Sequence, residues 1–369
     1  MRFLFVPCAV ALAVALVPAP QGQAAPSAKD IDTVTAKAYA PLKALQNDDG
    51  SFAPKLGGPG VTALVVAGLI RSGKGPTDPV VANALAYLEK SVQKDGGIYA
   101  QRLANYTTCC SVMALKEANK DGKYDKVLAG AADFLKKLQS TDDVPESDSA
   151  YGGVGYDGRG RPDLSNTHFF VEALIAAGVS KDDPAIKKAV VYVGRCQNLK
   201  GEHNPLPFAA KAAAEDKGGF VYTPSEADAK KGKNVTPAGG LRSYGSMSYA
   251  GLKSLLYAGV GKDDARVKEA VGWIKRNYTV ANHPGQGDAG LYYYYHLFAV
   301  GLDAYGESQF TDAKGTRHDW KQDLFNELRR RQAPGGTWVN SNRGFGEDSP
   351  ELCTAFALLA LSHCRPEPK

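Results

Sequence analysis

Cysteine is scarce in this chain. Six in 369 residues, five once Cys8 is set aside with the N-terminal run described below, is too sparse and too odd a set to be a disulfide framework. Charge of one sign is also scarce. The formal net charge of +5, one less without Arg2, is spread along the chain without a dense basic cluster, which excludes nucleic acid as a partner. Long apolar runs are limited to one, Phe3 to Val17, which follows Met1 and Arg2 and precedes small residues at Gly22 and Ala24. The run is too short to span a bilayer and reads as a secretory leader over residues 1–24, cleaved before Ala25. No second apolar run of about 20 residues follows, so no transmembrane segment is expected. The expectation is an exported protein, periplasmic or extracellular, with residues 25–369 as one soluble domain.

What the chain does have is a repeat. Six stretches share one skeleton when aligned on a closing leucine: Val61 to Leu69, Thr107 to Leu115, Asn166 to Leu174, Met247 to Leu255, Leu291 to Leu302 (LYYYYHLFAVGL) and Cys353 to Leu361. Uneven spacing with a persistent core pattern is the signature of a helical repeat array. Each stretch is preceded by a second pattern with apolar residues three and four apart: Val34 to Leu45, Pro79 to Val92, Lys126 to Leu138, Pro184 to Cys196, Ala265 to Asn277 and Trp320 to Arg331. Six helical hairpins follow, an all-α fold. Gly178 and Gly259 are placed to close one helix, and Asp78, Asp183 and Asp264 to cap the next. A second box recurs after the outer helix: Gln46 with Gly50 and Phe52, Gln93 with Gly97 and Tyr99, Gln332 with Gly336 and Trp338. Here the glutamine can bond free backbone groups of the following turn while glycine permits that turn. Repeats three and four keep Gln139 and Gln197 but postpone the box to Tyr151–Tyr156 and Gly219–Tyr222.

This pattern resembles the repeats of squalene and other triterpene cyclases and of protein prenyltransferase β subunits. The resemblance covers nearly the whole mature chain and implies an (α/α)6 toroid, an inner ring of helices wrapped by an outer ring. It implies a central funnel that binds an apolar or isoprenoid-like small molecule or lipid. The chain departs from the family in its chemistry. No Asp-x-Asp-Asp acid run stands at the matching place. The zinc-holding Asp-x-Cys pair of the prenyltransferases is matched by Glu351 and Cys353, but Val61 stands where their histidine would be, so neither zinc nor another cofactor is expected.

The long connections before the inner helices of repeats three to six crowd the mouth onto which those helices open their N-termini, a usual place for ligands. Aligning the first turns gives Tyr106, Tyr293 and Tyr294 as ligand-binding candidates, joined by Arg242 near the mouth, with His168, His296, Asn166 and Tyr249 as candidates for chemistry. The histidines would carry protons because an imidazole titrates near neutral pH. A second reading uses Asn166, His168, Tyr249 and Arg242 as the residue types of a toroid polysaccharide lyase or hydrolase acting on a uronic glycan. A third makes the toroid a non-enzymatic interaction module. Oligomeric state is not legible.

Overall fold

A computed structural model describes residues 25–366, apart from 143, 159, 226–229 and 231–233. The leader expected over 1–24 lies outside the described residues. The six repeat stretches are the inner helices: α3 (Pro59–Arg71), α5 (Ala104–Ala118), α7 (Leu164–Ala176), α9 (Gly245–Tyr257), α11 (Leu291–Tyr305) and α13 (Pro350–His363). Each packs on the next, and α13 packs back on α3, so the ring closes. The outer helices are α1 (Ala28–Ala36) with α2 (Tyr39–Leu45), α4 (Pro79–Lys90), α6 (Asp125–Lys137), α8 (Pro184–Arg195), α10 (Ala265–Asn277) and α12 (Trp320–Arg331). The chain is therefore the (α/α)6 toroid. Inner helices touch neighbours on most sides and are buried nearly throughout, as from Leu291 to Leu302 in α11. Outer helices bury one stripe, as Leu128, Ala131, Ala132 and Leu135 do in α6. No described helix is long and apolar enough to cross a membrane.

The cap expectations hold: the side chains of Asp78, Asp183 and Asp264 accept from the N–H groups of Val80, Ala185 and Arg266. The first outer element departs from expectation. Instead of one helix over Val34–Leu45, two helices meet at Lys37–Ala38. Pro41 has no N–H to return to the Lys37 carbonyl, so the ladder breaks there. A short hairpin, β1 (Gln309–Thr311) with β2 (Arg317–Asp319), precedes α12 and was not foreseen.

The glutamines do more than close their own turns. Gln46 Nε2 donates to Gly50 O and reaches Val80 O, in the first turn of the next outer helix, at 2.9 Å. Gln139 joins Gly152 O to Ala185 O, Gln197 joins Gly218 O to Arg266 O, and Gln332 joins Gly336 O to Val34 O. The last of these ties the end of the outer ring to its beginning. The adjoining glycine is required twice over: at Gly152 φ is +81° and a Cβ would lie 2.0 Å from Lys188 O, the next outer helix. Gln197 is buried, so Gln197→Ala strands two carbonyls and is expected to cost about 2 kcal/mol, read as a lower urea midpoint.

Repeat two is out of step with its expected box. The residue equivalent to Phe52 is Ile98, not Tyr99: the N–H groups of Phe52, Ile98, Val154, Phe220 and Trp338 each donate to an inner-helix hydroxyl, from Thr62, Thr108, Thr167, Ser248 and Thr354 respectively. Gln93 therefore sits one place late and bonds only Ser91 O and Tyr99 O within its own hairpin. Gln93→Ala is accordingly the milder variant in the same assay.

Candidate functional site

At the N-terminal ends of the inner helices lies a cavity of about 240 Å³ lined by Leu56, Val61, Leu103, Tyr106, Tyr156, Ser165, Tyr293, Phe345, Leu352 and Phe356. Five of the six inner helices or their caps contribute. Among the described residues, three of the four large apolar side chains left exposed, Leu56 and Tyr156 at 42% and Phe345 at 48%, converge on it. An exposed apolar cluster around a concavity marks a place of interaction. Backbone strain gathers here as well: of the non-glycine residues with positive φ among those described, Leu103 and Phe345 line the cavity, at 62° and 63°, and Ala53, at 41°, lines the adjoining groove with Leu56. Each such residue costs on the order of 1–3 kcal/mol, and clustering of that cost points to a site rather than to folding convenience.

The rim is fastened from below. Gly290 precedes α11 without a capping side chain, and Glu347 supplies the cap from the neighbouring loop, accepting from the Tyr293 N–H at 2.8 Å while Asn340 Nδ2 donates to its other oxygen at 2.7 Å. Burial raises the Glu347 carboxyl above its usual range. The loop so pinned lays the Phe345 ring over Gly290, where a Cβ would meet it at 2.8 Å. Past Leu56 and Leu103 the cavity opens into a wider trough with Lys55, Gln101, Arg102 and Asp157 on its sides.

Residues 55–214 match the squalene-hopene cyclase C-terminal domain family. A squalene–hopene cyclase of Bradyrhizobium diazoefficiens is 33% identical over 146 residues, which are 38% of this chain and 22% of that enzyme. This likeness covers less than half of the chain. In this part the chain is similar to the squalene–hopene cyclases. It matches only about a fifth of the length of that relative. Two solved structures are more distant: the type II terpene cyclase MstE from Scytonema (13% identity, TM-score 0.34, 92% of this chain and 100% of that one) and Candida albicans protein geranylgeranyltransferase-I complexed with GGPP (10%, 0.42, 92% and 100%). Neither bears on the site.

The residues expected at the site divide. Tyr106 and Tyr293 line the cavity, and burial pushes both phenols well above their usual range. His168 lies directly beneath, its Nε2 2.7 Å from Tyr293 Oη. His296, one turn after Tyr293, stacks on Phe356 at 5.7 Å, and neither of its ring nitrogens has a partner among the described residues. Burial, and next the nearby Lys253 charge, hold both imidazoles well below their usual range.

The others lie elsewhere. Tyr294 donates to Thr279 O at 2.6 Å and stacks on His283, so it fills the seam beside the following loop instead of the funnel. Tyr249 packs on Phe298 and Tyr294 in that seam, with no hydrogen-bond partner for its hydroxyl among the described residues. Asn166 is held by Asp163, whose carboxylate takes its N–H at 2.8 Å and its Nδ2 at 2.9 Å; burial raises Asp163 to about 6. Arg242 borders a separate cavity of about 260 Å³ with Asp216, Tyr244 and Trp273. Asn166, His168, Tyr249 and Arg242 thus share no cavity. Glu351 accepts from the Ser349 hydroxyl and faces a groove with Asp49, whereas the Cys353 thiol donates to Glu347 O at 3.0 Å and is pushed up by burial. The two do not converge on one point for a metal.

Sequence reasoning missed Leu56, Leu103, Tyr156 and Phe345, and also the pair Glu172 and Lys253. A signal for that pair existed. Both stand two places before the closing leucine of adjacent repeats, where the other four repeats carry Ala67, Met113, Val300 and Leu359.

Proposed function

We propose that this protein binds an apolar, isoprenoid-like ligand by admitting one end of it into the mouth cavity. The convergence of Leu56, Tyr156 and Phe345, exposed to water, on an apolar pocket floored by Tyr293 carries this reading. At about 240 Å³ the pocket is smaller than the usual ~300–1,000 Å³ of sites that enclose a whole ligand, so the remainder lies along the trough. No chemistry is part of the proposal. Tyr106 and Tyr293 are weaker acids than a free phenol, and Asp163 is turned to Asn166, so the mouth offers no strong acid to an alkene. Glycan chemistry finds no common site for its four residues, and nothing in the fold favours a bare interaction module over a ligand site.

Native mass spectrometry and titration with farnesol test the reading. Leu352→Trp, which puts an indole into the cavity from α13, is expected to weaken farnesol binding by tenfold or more (about 1.4 kcal/mol) with an unchanged helical spectrum. Retention of full affinity in that variant sinks the assignment of the cavity. We also propose export, carried by the leader-like pattern of residues 1–24; retention of the protein inside the producing cells with Met1 intact would count against it.

A further inference from the structure

The floor of the mouth cavity is one end of a hydrogen-bonded line that runs into the ring. Glu172 Oε2 lies 2.5 Å from Lys253 Nζ, and Lys253 Nζ lies 3.0 Å from His168 Nδ1. His168 Nε2 is 2.7 Å from Tyr293 Oη, which is 2.8 Å from Ser165 Oγ. All five residues are buried except Ser165, which is half-buried at the cavity wall.

The lower end fixes the direction of the line. A lysine ammonium has protons to give and no lone pair, so it donates to the Glu172 carboxylate and to Nδ1 of His168. An imidazole whose Nδ1 accepts carries its proton on Nε2, and that proton is donated to Tyr293 Oη. Burial, which disfavours imidazolium, agrees with a single ring proton. Tyr293 and Ser165 then have two hydroxyl protons between them, and their mutual bond uses one. Whichever residue donates in that bond, one hydroxyl proton is left over. Both residues line the cavity, and the described residues supply no further acceptor for either hydroxyl.

We infer that the end of the ligand entering the cavity carries an oxygen acceptor, an ether, carbonyl or hydroxyl oxygen, rather than a bare hydrocarbon terminus. The inference rests on the apolar-ligand reading above and specifies which member of that class fits. A donor buried under a hydrocarbon is left unmade, a loss that corresponds to tenfold or more in affinity. Lys253 is a positioning residue here: its ammonium, two bonds removed from the cavity, sets the tautomer that leaves the proton free.

Titration calorimetry with geranyl methyl ether and with myrcene, a hydrocarbon of the same prenyl length, tests this. The wild-type protein is expected to prefer the ether by about tenfold relative to Ser165→Ala/Tyr293→Phe, in which both hydroxyls are gone. Ser165→Ala alone keeps the preference, because the Tyr293 hydroxyl then faces the cavity. Nitrogen NMR shifts of His168 in the wild-type protein, expected to show the Nε2–H tautomer, decide the direction of the line even if the double variant does not fold. Equal preferences in the wild type and the double variant, or an Nδ1–H tautomer, overturn the inference while leaving apolar binding intact. Binding of neither probe overturns the ligand reading, and the inference with it.

Discussion

Lys253→Met is expected to lower the stability of the fold by about 3–5 kcal/mol, the largest effect of any single side chain outside the core packing. Lys253 is fully buried, and its ammonium lies 2.5 Å from Glu172 and 3.0 Å from His168. Removing it leaves the Glu172 carboxylate in the ring interior without its counter-charge, and that uncompensated charge, rather than the loss of attraction, dominates the cost. Lys253→Met/Glu172→Leu removes both charges and is expected to recover most of the loss, because a buried pair gains little over apolar residues of similar size. Urea unfolding of the two variants beside the wild type checks this. A single variant within about 1 kcal/mol of the wild type would show that the pair is solvated in the native protein.

Acidification from pH 7 to pH 5 is expected to destabilise the fold, with His283 alone removing about 2 kcal/mol. His283 Nε2 accepts from the Ser246 N–H at 2.9 Å and Nδ1 donates to Ala289 O at 2.7 Å, so the neutral ring is fully used and a second proton would face an N–H. Burial sets its value at about 4, although the Ala289 carbonyl favours the charged form. The unfolded chain, near 6.5, binds the proton more tightly; stability is therefore present above that value and is lost as the pH falls from about 6.5 toward 4. His168 and His296 act in the same direction. Asp163, raised to about 6, opposes them once the pH falls below that value, since its protonation favours the native state. His283→Gln is expected to flatten the dependence between pH 7 and 5. An unchanged slope in that variant would assign the acid sensitivity to other groups.

The fold was legible because its signals are local and repeated. Closing leucines, the glycines at Gly178 and Gly259 and the aspartate caps each act within a few residues, so the chain displays them wherever a hairpin occurs. The second role of the glutamines was not legible, because Gln332 finds Val34 only after the ring has closed. The one-residue slip in repeat two escaped for a related reason: the bond that defines the register is from the Ile98 N–H to Thr108 on the inner helix, whereas Tyr99 carries the aromatic ring that the pattern sought.

The site was legible only where it sits on a helix. Tyr106, Tyr293 and His168 were found from repeat position, but the same logic placed Tyr294 and Tyr249 in the funnel although they fill the α9–α11 seam. Four adjacent tyrosines point around a full helical turn, so they cannot all face one axis. The loop residues Leu56 and Phe345 have no repeat position to read, Tyr156 reads only as part of the postponed box of repeat three, and the exposure of all three is a property of the assembled mouth. Only the glycines flanking Phe345 hinted at an unusual backbone there.

A crystal structure of the protein purified from its producing cells without lipid stripping tests the central claim most directly. The account predicts elongated density entering between Leu103 and Phe356, ending within hydrogen-bond reach of Ser165 or Tyr293, and continuing along the trough beside Lys55 and Arg102. An empty mouth in a protein that carries its ligand instead beside Arg242 and Trp273 would contradict it.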